Sequence, residues 1–141
     1  MKIRIRSFHD LEVYQNAYKA MLIVYNQIIP HLPKDEYDLN SQLKRSVKAI
    51  PRLIAEGHSK RHQYRGFQKY IDDAMAESNE SIVSLNQIRD LYPERINMDA
   101  CNKLIDIYDK ISRQLYKLAI AWDGFKDRNR KTINDTSCAT D

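Results

Sequence analysis

Apolar side chains recur at steps of three and four along most of the chain, the rhythm of helices that each bury one face. From Asp10 to Ile29 the stripe is Leu11, Tyr14, Tyr18, Met21, Leu22, Tyr25, Ile28 and Ile29, and Pro30 and Pro33 end it. A second run opens near Asp38, read as its N-cap, with Leu39, Leu43, Val47, Ile50 and Ile54 on one side and Gly57 as the expected stop. Pro51 falls inside this run, removes one backbone donor and crowds the preceding turn, so the second helix is expected to kink.

The third run alternates fours and threes through Phe67, Ile71, Ala74, Ser78, Ser81, Leu85, Ile88 and Tyr92, a coiled-coil-like seam closed by Pro93. Its small members Ala74, Ser78 and Ser81 predict close approach of a neighbouring helix. The fourth run, about Met98 to Trp122, places Leu104, Ile107, Ile111, Leu115, Leu118 and Trp122 together, with Asn97 as cap and Gly124 as stop. Beyond Phe125 the chain reads KDRNRKTINDTSCATD, without periodicity and with one isoleucine, and a mobile polar tail is expected over 125–141. Strand alternation and internal repeats are missing. These runs predict an all-α protein: an up-down four-helix bundle over residues 1–124 with a kinked second helix.

Composition supports one folded domain. The chain has 141 residues, 43% of them hydrophobic and 30% charged, with 3 Gly and 4 Pro that fall where the helices need breaks. No apolar run reaches the roughly 18 residues of a membrane span, and Met1 to Arg6 leads into no signal-peptide stretch, so a cytoplasmic protein is expected. Cys101 and Cys138 are too few and too differently placed for a disulfide framework and are read as thiols. The formal net charge of +4 leans towards polyanions but decides nothing alone.

The local charge is more telling. Between Gln42 and Arg65 stand Lys44, Arg45, Lys48, Arg52, Lys60, Arg61 and Arg65 against one acid, Glu56. Lys44, Lys48 and Arg52 repeat every four residues and so form a basic stripe on the second helix, where like charges repel one another and favour an anionic partner. These seven residues are the candidate nucleic-acid contacts. The competing reading is a solvated face paired with Asp72, Asp73 and Glu77 of the third helix.

Catalytic chemistry finds no foothold. His58 and His62 are four apart, but Gly57 interrupts the helix expected there and no third ligand completes a metal set by spacing. Asp72, Asp73, Glu77 and Glu80 lack the Glu-x-x-His pairs of a di-iron bundle and read as surface charges. No phosphate-binding glycine loop, Cys-x-x-Cys or nucleophile motif occurs, so no cofactor and no enzymatic activity are expected. Tyr14, Tyr18, Tyr25, Tyr108 and Tyr116 are expected at core or interface positions with their hydroxyls at the rim, with base stacking as the lesser alternative. Met75, Ile82 and Ile105 widen the apolar faces of the third and fourth helices, which hints at self-association.

The opening Phe8-His9-Asp10-Leu11-Glu12-Val13-Tyr14, the run Ile50-Pro51-Arg52-Leu53-Ile54-Ala55-Glu56-Gly57 preceded by Gln42 and Arg45, and Phe67 through Ser81 resemble the four-helix bundle proteins encoded in intervening sequences of large-subunit ribosomal RNA genes. Leu53 stands where that family usually has Asn, and Glu77 precedes Ser78 where it often has Gly. The same fold is similar to the accessory variability proteins of diversity-generating retroelements, basic homopentamers that bind nucleic acid and a reverse transcriptase. The resemblance implies a homo-oligomer, a pentamer by analogy, with RNA or DNA, or a protein such as a reverse transcriptase, as partner.

Overall fold

The computed structural model describes residues 5–63 and 65–138, with side chains described as far as 122. The described residues form α1 (Glu12–Ile23), α2 (Tyr37–Ser59), α3 (Gly66–Leu91) and α4 (Met98–Cys138), with no strand among them. α2 packs on α1 and α3, and α4 closes the ring against α3 and α1. Cross-helix contacts fix the directions. Ser46 of α2 meets Ser81 of α3 while Gly57 meets Tyr70, and Leu85 of α3 meets Cys101 of α4 while Ser78 meets Ser112. Each pair runs antiparallel, so the bundle is up-down, as the short connections predict.

Three of the four stripes face one shared core, whereas the first run turns a different face inward: of its predicted members only Leu11 and Ile28 are buried, Tyr18 and Leu22 are exposed, and Val13, Ala17, Ala20 and Val24 take the inner positions. Val13, Ala17, Ala20, Val24 and Ile28, then Leu39, Leu43, Val47, Ile50 and Ile54, then Phe67, Ile71, Ala74, Leu85 and Ile88, then Leu104, Tyr108, Ile111 and Leu115 are all buried. The small residues of α3 act as expected, and hydroxyls bond where helices approach. Ser81 Oγ donates to Ser46 Oγ at 2.8 Å, Ser78 Oγ to the Tyr108 carbonyl at 3.0 Å, and Ser112 Oγ sits 2.8 Å from Ser78 Oγ. These bonds leave the buried hydroxyls satisfied, at a net gain of about 1 kcal/mol each. Asn97 caps α4 by accepting from the Ala100 N–H at 3.1 Å.

Several boundaries differ from the sequence reading. The first run is not one helix, because Leu11 is extended (φ −74°, ψ 121°) between α1 and a preceding 3-10 turn, Phe8–Asp10. That turn is locked reciprocally: Asp10 Oδ2 accepts from the Arg6 and Ser7 N–H groups at 2.7 and 3.2 Å, and Ser7 Oγ accepts from the His9 N–H at 3.3 Å. After Ile23 the helix widens into a π-helical turn, Val24–Ile28, and then tightens into a 3-10 turn, Ile29–His31, around Pro30, which cannot continue the α ladder. Asp38 is not the N-cap of α2. The cap is Glu36, whose carboxylate is taken by the Tyr92 hydroxyl, and Asp38 lies in the first turn, where its charge suits the positive end of the helix.

Gly57 does not stop α2 either. It is buried inside the helix, and a Cβ there would stand 3.0 Å from the Tyr70 Cβ, so the missing side chain serves close packing of α2 on α3. The left-handed residue of this connection is Arg65 (φ 58°), the N-cap of α3. Pro51 lies buried within α2, which continues past it to Ser59. α4 likewise runs through Gly124, the expected stop, because one glycine costs an established helix only about 1 kcal/mol. For the mobile tail expected over 125–141, the side chains and residues 139–141 lie outside those described, as does the Cys138 side chain. Tyr108 is wholly buried rather than rimmed, and Met75, Ile82 and Ile105 are half-buried against the core, so they complete this bundle's own packing.

Candidate functional site

α2 turns its buried stripe inward and so must present Lys44, Lys48 and Arg52 outward, one per turn. At 1.5 Å rise per residue the three charges span about 12 Å. Lys48 and Arg52 are exposed and Lys44 is half-buried, and none of the three makes an ion pair among the described residues. They line an open groove on the helix surface with Ser41, Arg45, Ala49, Leu53 and Glu56. The family-type Asn position is filled by Leu53, which packs partly against the core.

Arg45 leans towards α3 and reaches Glu80 at 3.7 Å, with both side chains more than half exposed at 69% and 58%. Such a pair contributes at most about 1 kcal/mol and leaves Arg45 able to exchange partners. The carboxylate beside it behaves differently from the sequence reading. Glu77, expected as a surface charge, is half-buried, and its Oε2 meets no partner among the described residues. Burial, then the neighbouring Glu80 charge, pushes the Glu77 carboxyl above its ordinary value, while Arg45 pulls the other way.

The remaining candidates sit where α2 gives way to α3, apart from the stripe. Lys60 Nζ donates to the Tyr70 hydroxyl at 2.6 Å and lies 4.7 Å from that ring's centroid; the hydroxyl bond raises the ammonium's pKa. Arg61 donates to the His58 carbonyl at 2.7 Å and approaches His58 Nδ1 at 3.4 Å. Burial, then the Arg61 charge, lowers the His58 pKa, so His58 is mainly uncharged at neutral pH and adds nothing to the cationic surface. Arg65 is exposed at the α3 cap. The structure therefore divides the seven residues into a stripe of four on α2 and a corner of three beyond it. Among the described residues no three His, Cys, Asp or Glu side chains gather as a metal ion would need, and no helix is long and apolar enough to cross a membrane.

One feature outside the stripe escapes the sequence reading. The rings of Phe8, His9, Tyr14 and Tyr18 form a continuous row, with centroids 4.1 Å apart for Phe8–His9, 5.0 Å for Phe8–Tyr14 and 6.1 Å for Tyr14–Tyr18. The helical period groups Tyr14 with Tyr18, but only the 3-10 turn at Phe8–Asp10 brings the two preceding rings onto them. Chemically, the groove on α2 is a cationic strip, suited to holding an extended anion.

A family model described as 23S rRNA-intervening sequence protein matches residues 9–117. That span takes in the whole of α1, α2 and α3 and about the first half of α4. No curated protein matches the chain.

Proposed function

Since the chain belongs to the 23S rRNA-intervening sequence protein family, we propose that it is a non-catalytic cytoplasmic binding protein, a homo-oligomer whose α2 stripe associates with RNA or DNA. The pentameric number comes from the resemblance to the accessory variability proteins. The observation that carries the reading is the row Lys44, Lys48 and Arg52, which faces outward on α2 and makes no ion pair among the described residues. Three cations one turn apart repel one another, and a polyanion relieves that repulsion while releasing its own counterions. Repetition of the stripe around an oligomer would add avidity without new contacts.

Fluorescence anisotropy with structured RNA and with DNA, at rising salt, tests this. Binding should weaken steeply with salt and vanish in the double variant Lys48→Glu, Arg52→Glu. Lack of binding at low salt, or binding indifferent to the double variant, rejects it.

A second reading is favoured by a separate surface. Tyr116 and Ile120, one turn apart on α4, are 57% and 54% exposed. In that reading the protein is an adaptor oligomer that docks another protein, such as a reverse transcriptase, and its basic face meets acidic protein. A native pull-down separates the two: a main partner that survives nuclease treatment favours docking, and one that disappears favours nucleic acid.

A further inference from the structure

We propose that the aromatic row at the start of α1 is a base-stacking platform, so that the nucleic acid held by this protein is an unpaired strand rather than a duplex. The inference rests on the nucleic-acid reading above and names the form of the ligand. Tyr18 is 45% exposed although it is a large aromatic next to the core, and His9 is exposed at the other end of the row. Both rings are backed by others: His9 lies 4.1 Å from Phe8 and 5.6 Å from Tyr14, and Tyr18 lies 6.1 Å from Tyr14. A ring braced by neighbours loses little freedom when a base settles on it, which favours stacking.

The row also lies on the side of α1 towards α2, the helix that carries the cations. Asn16, whose amide donates to Gln114 of α4 at 3.2 Å, marks the α4 side of the helix. Tyr14 and Tyr18 are two residues either side of it, roughly half a turn around, and so flank α2. The Phe8–Asp10 turn packs on α2, and Arg61 stands beyond the end of that helix against His58. The one carboxylate in the row, Asp10, is occupied by the backbone N–H groups of Arg6 and Ser7.

The dimensions agree with a short strand. The roughly 12 Å covered by Lys44, Lys48 and Arg52 equals the rise of about three or four stacked nucleotides at 3.4 Å each. Phosphates would follow α2 while two bases turn onto Tyr18 and His9. A duplex keeps its base faces covered and offers the rings nothing to stack on.

Anisotropy with a labelled 12-nucleotide RNA, alone and annealed to its complement, tests the inference on the full chain. Tyr18→Ala should weaken the single strand about tenfold or more and leave the duplex unaffected. Tyr18→Phe should restore single-strand binding, while Tyr18→Leu should not. Unchanged helicity by circular dichroism accompanies the supporting result; a Tyr18→Ala protein that loses helicity is replaced by His9→Ala, for which the same selective loss is expected. Equal loss on both ligands, or no loss on either, overturns the stacking platform while the stripe reading stands. Failure of the unaltered protein to bind either form, whether or not it captures a protein partner instead, overturns both.

Discussion

Glu77 shows how one residue can set a pH dependence against the rest of the fold. Its carboxyl is raised above the ordinary 4.5, first by burial and then by the Glu80 charge. A raised acid binds its proton more tightly in the folded chain, so its favourable contribution is complete below 4.5 and is lost as pH rises through the folded value. At pH 7 the half-buried Glu77 charge beside Glu80 is therefore a cost. Glu77→Gln keeps the shape without the charge and should raise the melting temperature by a few degrees at pH 7 while changing little at pH 4. His58 works in the other sense, since its lowered pKa gives stability that is present above 6.5 and lost as pH falls, but it is common to both proteins and cancels in the comparison. Melting curves from pH 4 to 8 decide the matter: a gap that does not open with rising pH sinks the assignment. Tyr108 offers a simpler case. Its ring is fully buried and its hydroxyl meets no partner among the described residues, and burial alone drives its pKa upward. Tyr108→Phe should thus be neutral or stabilising by about 1 kcal/mol in urea denaturation, where loss of a useful hydrogen bond would destabilise by a similar amount.

Among the elements, the contact between α2 and α3 is governed by what is missing from a side chain. In an exposed helix, glycine to alanine is a gain of about 1 kcal/mol. At Gly57 the new methyl would meet Tyr70 Cβ at 3.0 Å, with the Phe67 carbonyl at 3.5 Å behind it, and Cβ cannot swing aside as a side-chain tip does. Overpacking of this kind costs about 1 to 3 kcal/mol, so Gly57→Ala should come out destabilised by about 1 kcal/mol in the same urea assay. A stabilised variant would show that the helices separate without penalty. The same glycine marks the limit of what a linear chain discloses. Gly57 and Gly124 look alike as stop signals, yet one is a packing notch and the other lies within a continuing helix, because nearby partners decide which use applies. The seam of α3 was legible in advance, since Ala74, Ser78 and Ser81 keep the helical period as well as the size that close approach demands. For the site, the stripe of Lys44, Lys48 and Arg52 could be read from its four-residue spacing. Half-burial of Glu77 and the joining of Phe8 and His9 to Tyr14 could not, because the first depends on which neighbour covers α3 and the second on a turn locked by Asp10.

At the scale of the whole molecule, salt dependence distinguishes one stripe from several acting together. Binding of a single strand loses affinity with salt at a slope of about −0.7 per phosphate neutralised, so the three cations of one stripe predict a slope near −2 and a loss of about twentyfold between 50 and 200 mM. An oligomer that lays more than one stripe on the same strand multiplies the contacts, steepens the slope and prefers long strands to short ones, since the second contact is made at high effective concentration. Tyr116 and Ile120 are an exposed apolar pair available for such assembly, and they stand on α4, which is not one of the two helices that α2 packs against. Tyr116→Lys with Ile120→Lys should therefore lower the particle to monomer mass in analytical ultracentrifugation, bring the slope back to about −2 and abolish the preference for long strands, with the short-strand affinity at low salt nearly kept. A mass already monomeric before substitution, or a slope that stays steep after the mass has fallen, would mean that the stripes do not act in concert. The pairing of the two readouts matters because the added lysines carry charge themselves: they can strengthen binding nonspecifically, but they cannot at once shrink the particle and flatten the salt response unless assembly had been multiplying the cations.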